Sequence, residues 1–104
     1  MSEMNTKLLQ IISYFGVNNQ QRKIQEELFE LQESITLAEW TYPKEMAKEK
    51  MEEEMADVVV MLMQFANFYK LNVVNIRHNA EWKIERKIER INVECMNCGR
   101  EEDQ

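Results

Sequence analysis

Chain breakers are scarce: Gly16, Gly99 and Pro43 are the only glycines and the only proline among 104 residues. A many-stranded sheet needs tight turns, and those turns draw on residues that tolerate unusual backbone angles, so the shortage favours a few long helices. A chain of this length is near the usual size for one hydrophobic core. The expectation is a single all-α domain.

Hydrophobic spacing divides the chain into four helices. Leu8, Ile11, Ile12 and Phe15 recur at helical intervals within residues 4–15, and Gly16 is well placed to end that helix. Asn18 or Asn19 then offers an N-cap to a second helix, whose series Ile24, Leu28, Leu31, Ile35, Ala38 runs to about Trp40. The segment TYP, ending at Pro43, breaks the pattern, because proline disfavours a helical residue before it and suits a first helical turn. A third helix is expected over residues 44–69, with a charged, solvated first half (KEMAKEKMEEE) and a second part, VVVMLMQFANF, apolar on nearly every side. After a short break at Leu71–Asn72, a fourth helix is expected over about 73–92. No internal repeat or low-complexity linker is evident. The helical domain is therefore read as 1–93, followed by a polar tail, 94–104, expected to be disordered.

That tail holds the two cysteines, Cys95 and Cys98, in a CxxC. A zinc site needs four ligands and the only histidine is His78, so two reduced thiols is the plain reading, with a zinc shared across a dimer or a redox pair as alternatives. The formal net charge of −6 and pI near 4.9 repel polyanions, which argues against a dedicated nucleic-acid or anionic-membrane binder. No apolar run approaches the roughly 20 residues of a membrane span, and no leader pattern precedes the first helix. A soluble, cytoplasmic protein is expected.

The chemistry is concentrated in acidic pairs. Each helical residue advances by about 100 degrees, so residues three apart share a face. Glu27 and Glu30 make one pair and Glu54 and Asp57 another. With Glu54 as reference, Val58, Met61, Phe65 and Phe68 lie within about 40 degrees of it on the wheel, with Asp57 at the margin, so these acids should face inward. Burying an ionised carboxylate without a partner costs several kcal/mol, and a neighbouring like charge adds to this. Lysine or arginine can neutralise such a group, but hard oxygen ligands in this number suit Mg²⁺ or Mn²⁺ better. The alternative is that acids near a helix N-terminus favour the helix dipole on an ordinary solvated face, and Glu49, Glu52 and Glu53 are read that way.

On the fourth helix Asn79, Lys83, Arg86 and Arg90 share one sector, with Lys87 beside it, while Val73, Ala80, Ile84, Ile88 and Ile91 form the apolar face. Neighbours four apart, such as Lys83/Lys87 and Arg86/Arg90, carry the same sign, which disfavours the helix by itself. Two readings stand side by side: an anion to meet, or an ion-paired surface against another helix or subunit. Metal-binding carboxylates plus a basic row describe a polyphosphate site. A glycine-rich phosphate loop is absent, and His78 has no glutamate three residues before it, which disfavours a di-iron bundle.

EELFE, with Glu26, Glu27 and Glu30, followed by EMAD, with Glu54 and Asp57, resembles the EExxE…ExxD signature of the MazG-like, all-α nucleoside triphosphate pyrophosphatases. The likeness extends over roughly residues 10–92, through YFGVNNQQRKIQEELFELQESI, DVVVMLMQF and EWKIERKIERI, the last being similar to the closing basic helix of small phage and bacterial members. The resemblance implies a four-helix, MazG-like bundle assembled as a homo-dimer or tetramer. It implies hydrolysis of a (deoxy)nucleoside triphosphate between the α and β phosphates to monophosphate and pyrophosphate. It assigns Glu27, Glu30, Glu54 and Asp57 to Mg²⁺ (or Mn²⁺), and gives Glu26 a catalytic part as ligand to another ion or in orienting the attacking water. It also assigns Lys83, Arg86 and Asn79 to the substrate phosphates. Tyr14, Phe15, Trp40, Tyr42 and Trp82 are candidates to stack on a base. The competing function is a non-catalytic helical-bundle oligomer, acting as a nucleotide sensor or interaction protein.

Overall fold

The computed structural model describes residues 2–40 and 44–102, with side chains described through Met96. Its elements are four helices, α1 (Glu3–Phe15), α2 (Val17–Ala38), α3 (Lys44–Phe68) and α4 (Val73–Glu102), with no strand among the described residues. The chain divides into two compact units, Met1–Leu71 and Asn72–Gln104, and each is described by itself. No described helix is long and apolar enough to cross a membrane.

Gly16 both closes α1 and opens α2. Its amide donates to Ile12 O at 2.9 Å and its carbonyl accepts from Gln20 N at 3.0 Å. This junction holds φ at +88°, a left-handed conformation that glycine adopts without a Cβ clash. The expected asparagine N-cap is therefore displaced: α2 has no side-chain cap, and Asn19 Nδ2 instead donates back to Phe15 O at 2.7 Å. The break expected at TYP falls at 41–43, outside the described residues.

Within the first unit, α3 is the common support, packing most extensively on α2 and less so on α1. Leu8 and Ile12 of α1 are buried, as are Ala47, Val58 and Met61 of α3. Asn67 Nδ2 donates to Asn5 O at 3.1 Å, joining the last turns of α3 to the first turn of α1.

The inward lines differ from the sequence reading in two places. On α2 the expected apolar stripe is only partly covered: Ile24, Leu31 and Ala38 are half-buried, whereas Leu28 and Ile35 are exposed. The residues α2 buries are Gln20, Glu27 and Ser34, all polar. On α3 the stripe passes through Glu54, Val58 and Met61 but turns into Gln64, and Phe68 is exposed. Gln64 takes the inward place because its amide meets Gln20, a polar match that apolar spacing does not register. The VVVMLMQF segment is covered on one side only, with Val59, Val60 and Leu62 exposed in this unit.

α3 ends through a tight turn in which Lys70 has φ +56° and Leu71 N donates to Ala66 O at 2.8 Å. Asn72 Oδ1 then accepts from Asn75 N at 3.1 Å and caps α4. The α4 backbone continues to Glu102, past the expected end near Asn92, so residues 94–102 of the expected unstructured tail are helical, and 103–104 lie outside the described residues. No proline interrupts it, and a single helical glycine, Gly99, weakens a helix by only about 1 kcal/mol relative to alanine.

Candidate metal centre

Two turns along α2 from Gln20 is Glu27, and two turns back along α3 from Gln64 is Asp57. The Gln20 Nε2 to Gln64 Oε1 hydrogen bond, 2.7 Å long and buried, therefore sets the register of the antiparallel α2–α3 pair and brings the two acidic motifs level. Gln64 is 2% exposed, and its Nε2 also donates to Met61 Sδ at 3.6 Å. These glutamines do not stand out in the sequence because polar residues on an amphipathic helix normally mark its wet face. The available signal was the equal spacing of each glutamine from the acids on its own helix.

Glu27, Glu30, Glu54 and Asp57 converge, each offering a carboxylate oxygen, with these atoms all within 4.8 Å of one another. Glu27 (8% exposed) and Glu54 (5%) form the floor, while Glu30 and Asp57 stand at the solvent side. The expectation that Glu54 and Asp57 face inward thus holds for Glu54 and not for Asp57, which is exposed. Glu26 is exposed and pairs with Lys23 at 3.2 Å, and it is not part of the converging group.

The electrostatics of the floor are half satisfied. Lys23 Nζ lies 3.3 Å from Glu27 Oε1, and Lys50 Nζ lies 2.8 Å from Glu54 Oε1. The second oxygens, Glu27 Oε2 and Glu54 Oε2, are buried with no hydrogen-bond partner. A buried carboxylate oxygen without a donor is costly, so the arrangement calls for a positive ligand. Charge crowding acts on the rim as well. The Glu30 carboxyl is held above its ordinary range, first by the Glu27 charge, then by partial desolvation and the Glu54 carboxylate. The lysines respond in the opposite sense. Lys50 is raised by its hydrogen bond to Glu54 and by that carboxylate's charge, and Lys23 by hydrogen bonds to Glu26 and Glu27.

The two acidic segments share one pattern. KIQEELFE (23–30) and KMEEEMAD (50–57) each place Lys at the first position, Glu at the fourth and fifth, and an acid at the eighth. The absence of an internal repeat, expected from the sequence, needs this correction. The repeat is short and confined to charged positions, which is why it hides among ordinary Glu-rich helices. Its structural meaning is plain, since equivalent residues behave alike: the fifth-position glutamates are buried, the eighth-position acids are exposed, and each lysine binds the glutamate four residues on.

Beside the acids, between α2 and the start of α3, lies a cavity of about 580 Å³. Leu37, Ala38, Met46 and Ala47 give it an apolar wall, and Glu30, Lys50 and Glu54 belong both to its lining and to the acidic centre. The described lining includes no aromatic residue. Of the candidate base-stacking residues, Tyr14 and Trp40 are more than four-fifths exposed, Phe15 packs edge-on against Tyr14, and Tyr42 lies outside the described residues.

Asn79, Lys83 and Arg86 are on α4, in the second unit. The Arg86 guanidinium lies over the Trp82 ring, 5.0 Å from its centroid, and Arg77 pairs with Glu81 at 3.2 Å. Cys95 is exposed, and the side chain of Cys98 lies outside the described residues. No protein-family model, curated protein or solved structure matches the chain.

Proposed function

We propose that the protein is a MazG-like, Mg²⁺-dependent nucleotide pyrophosphohydrolase that cleaves a (deoxy)nucleoside triphosphate to monophosphate and pyrophosphate. The observation that carries this reading is the convergence of four carboxylates with two buried, unpartnered oxygens on the floor. An acidic cluster on a solvated face would leave no such atoms. The donor set is all carboxylate oxygen, the chemistry that Mg²⁺ or Mn²⁺ selects, so the residues present fit the ion.

Glu27, Glu30, Glu54 and Asp57 would hold the cation. When bound, it supplies neutralisation of phosphate oxygens and a more acidic water. Glu26, exposed beside the centre in sequence, is the candidate to orient the attacking water or accept its proton. The apolar wall of the cavity next to Glu30 and Glu54 suits the flat face of a base, and its volume is within the usual range of small-molecule sites. Lys83 and Arg86, with Asn79, are assigned to the phosphates on charge and on the resemblance. The exposed Leu28 and Phe29 of α2 and Val59, Val60 and Leu62 of α3 support assembly of copies into a dimer or tetramer, since apolar surface of this kind is ordinarily covered.

The test is product analysis. Each common ribo- and deoxyribonucleoside triphosphate is incubated with the protein and either Mg²⁺ or a chelator, and the products are separated. Monophosphate and pyrophosphate, formed only with Mg²⁺, are expected. Mg²⁺-dependent nucleotide binding without turnover on any substrate would favour the non-catalytic sensor.

A further inference from the structure

We propose that Lys23 and Lys50 are built-in counter-cations of the acidic centre, which a divalent ion must displace, so that these two lysines set how tightly the site binds metal. This rests on reading the centre as a cation site, and not on the nucleotide chemistry.

The repeat supplies the first reason. Each half of the centre carries its own lysine four residues before its buried glutamate, and each ammonium contacts only one oxygen of that glutamate, Oε1. The other oxygen is buried and unpartnered in both halves. An ion pair built for stability alone would spend the remaining lysine protons on that second oxygen. Here the lysine approaches from one side and leaves the other oxygen to the shared centre.

Charge balance supplies the second. Four carboxyl groups converge on the centre but only two ammonium groups meet them, and one of these, Lys23, is shared with Glu26, so the lysines leave a negative excess that a divalent ion would offset. Full bidentate use of the floor carboxylates needs Oε1 as well, and that atom is the one the lysines occupy. The lysines can leave: their side chains remain 47% and 62% exposed, so a rotamer change returns each ammonium to water. The buried glutamates cannot follow them. The lysines therefore stabilise the metal-free fold and compete with the metal for the same oxygens.

The experiment compares Mn²⁺ binding, by calorimetry or by loss of the free-ion paramagnetic signal, in the wild type, Lys23→Met, Lys50→Met and Lys50→Arg, together with thermal melts at zero and saturating Mn²⁺. Methionine keeps most of the aliphatic reach and removes the charge. Each Met variant should bind Mn²⁺ more tightly, on the order of three- to tenfold for a charge at ion-pair distance in a partly solvated site. Each should melt lower than wild type without metal, and the gap should close at saturation. Lys50→Arg should bind no more tightly than wild type. Single substitutions at half-exposed lysines leave the core intact, so folding is retained for the comparison. Unchanged or weakened binding in both Met variants, with a wild type that binds normally, overturns the counter-cation role alone. A wild type that takes up no Mn²⁺ overturns both this proposal and the cation-site reading beneath it.

Discussion

α1 and α2 both pack on α3, yet they bury opposite chemistries. α1 contributes Leu8 and Ile12, while α2, with the larger contact, buries Gln20, Glu27 and Ser34. Apolar contacts are non-directional and tolerate small slides, whereas a hydrogen bond such as Gln20–Gln64 is satisfied in one register only. The contrast separates two jobs within a small unit: α1 holds α3 by burial, and α2 is held at a fixed height so that its acids meet those of α3. A polar interior of this kind is a poor way to gain stability, because two buried glutamates lie in it with half their oxygens unmatched.

That contrast can be broken most directly at α1. Ile12→Ala should destabilise the unit by about 2–5 kcal/mol, the range for deleting a buried aliphatic side chain, as read from denaturant melts. A change below this range would mean that α1 is not the apolar anchor. Gln64→Ala is expected to cost less, about 1–3 kcal/mol, by leaving the Gln20 amide buried without its partner. It should also weaken Mg²⁺-dependent stabilisation through loss of register. Glu54→Gln should move stability the other way, raising that of the metal-free protein by roughly 1 kcal/mol because a buried charge is removed, while abolishing stabilisation by Mg²⁺. A destabilised Glu54→Gln would mark Glu54 as a structural ion-pair residue.

The smallest effect concerns pH. The folded protein holds the Glu30 proton more readily than the unfolded chain, whose carboxyl titrates near 4.5. Without metal, the Glu30 contribution to stability therefore grows as pH falls through its raised folded pKa and stops growing below about 4.5. Subtracting the pH profile of Glu30→Gln from that of the wild type should isolate this slope. Saturating Mg²⁺ should weaken it, because a cation favours the ionised form. An unchanged difference with Mg²⁺ would place Glu30 outside the cation site.

Much of this arrangement was legible in the sequence, and the failures have distinct physical causes. Gly16 and the Leu71–Asn72 break marked helix ends because backbone conformation is nearly all they encode. The acidic pairs were visible from spacing three apart, since a carboxylate aligned with Val58 and Met61 is out of place unless it has a partner. The inward line of α2 was misread at Leu28 and Ile35 because α2 carries apolar residues on more than one side, and periodicity does not say which side faces α3. Gln20, Gln64 and the lysine repeat were missed for the complementary reason: their meaning lies in the register between two helices, which neither helix states alone. The extension of α4 to Glu102 does not show in the sequence because polarity marks disorder and a solvated helix alike, and no strong breaker stands beyond Asn92 to tell them apart.

The most direct test of the acidic centre is a calorimetric titration of Mg²⁺ and Mn²⁺ into the wild type, Glu27→Gln and Glu54→Gln, with helical circular dichroism recorded for each. Saturable binding in the wild type, lost in both variants while helicity is retained, is the expected result. Equal binding in all three proteins, or none in the wild type, would contradict a cation site built on those two buried carboxylates.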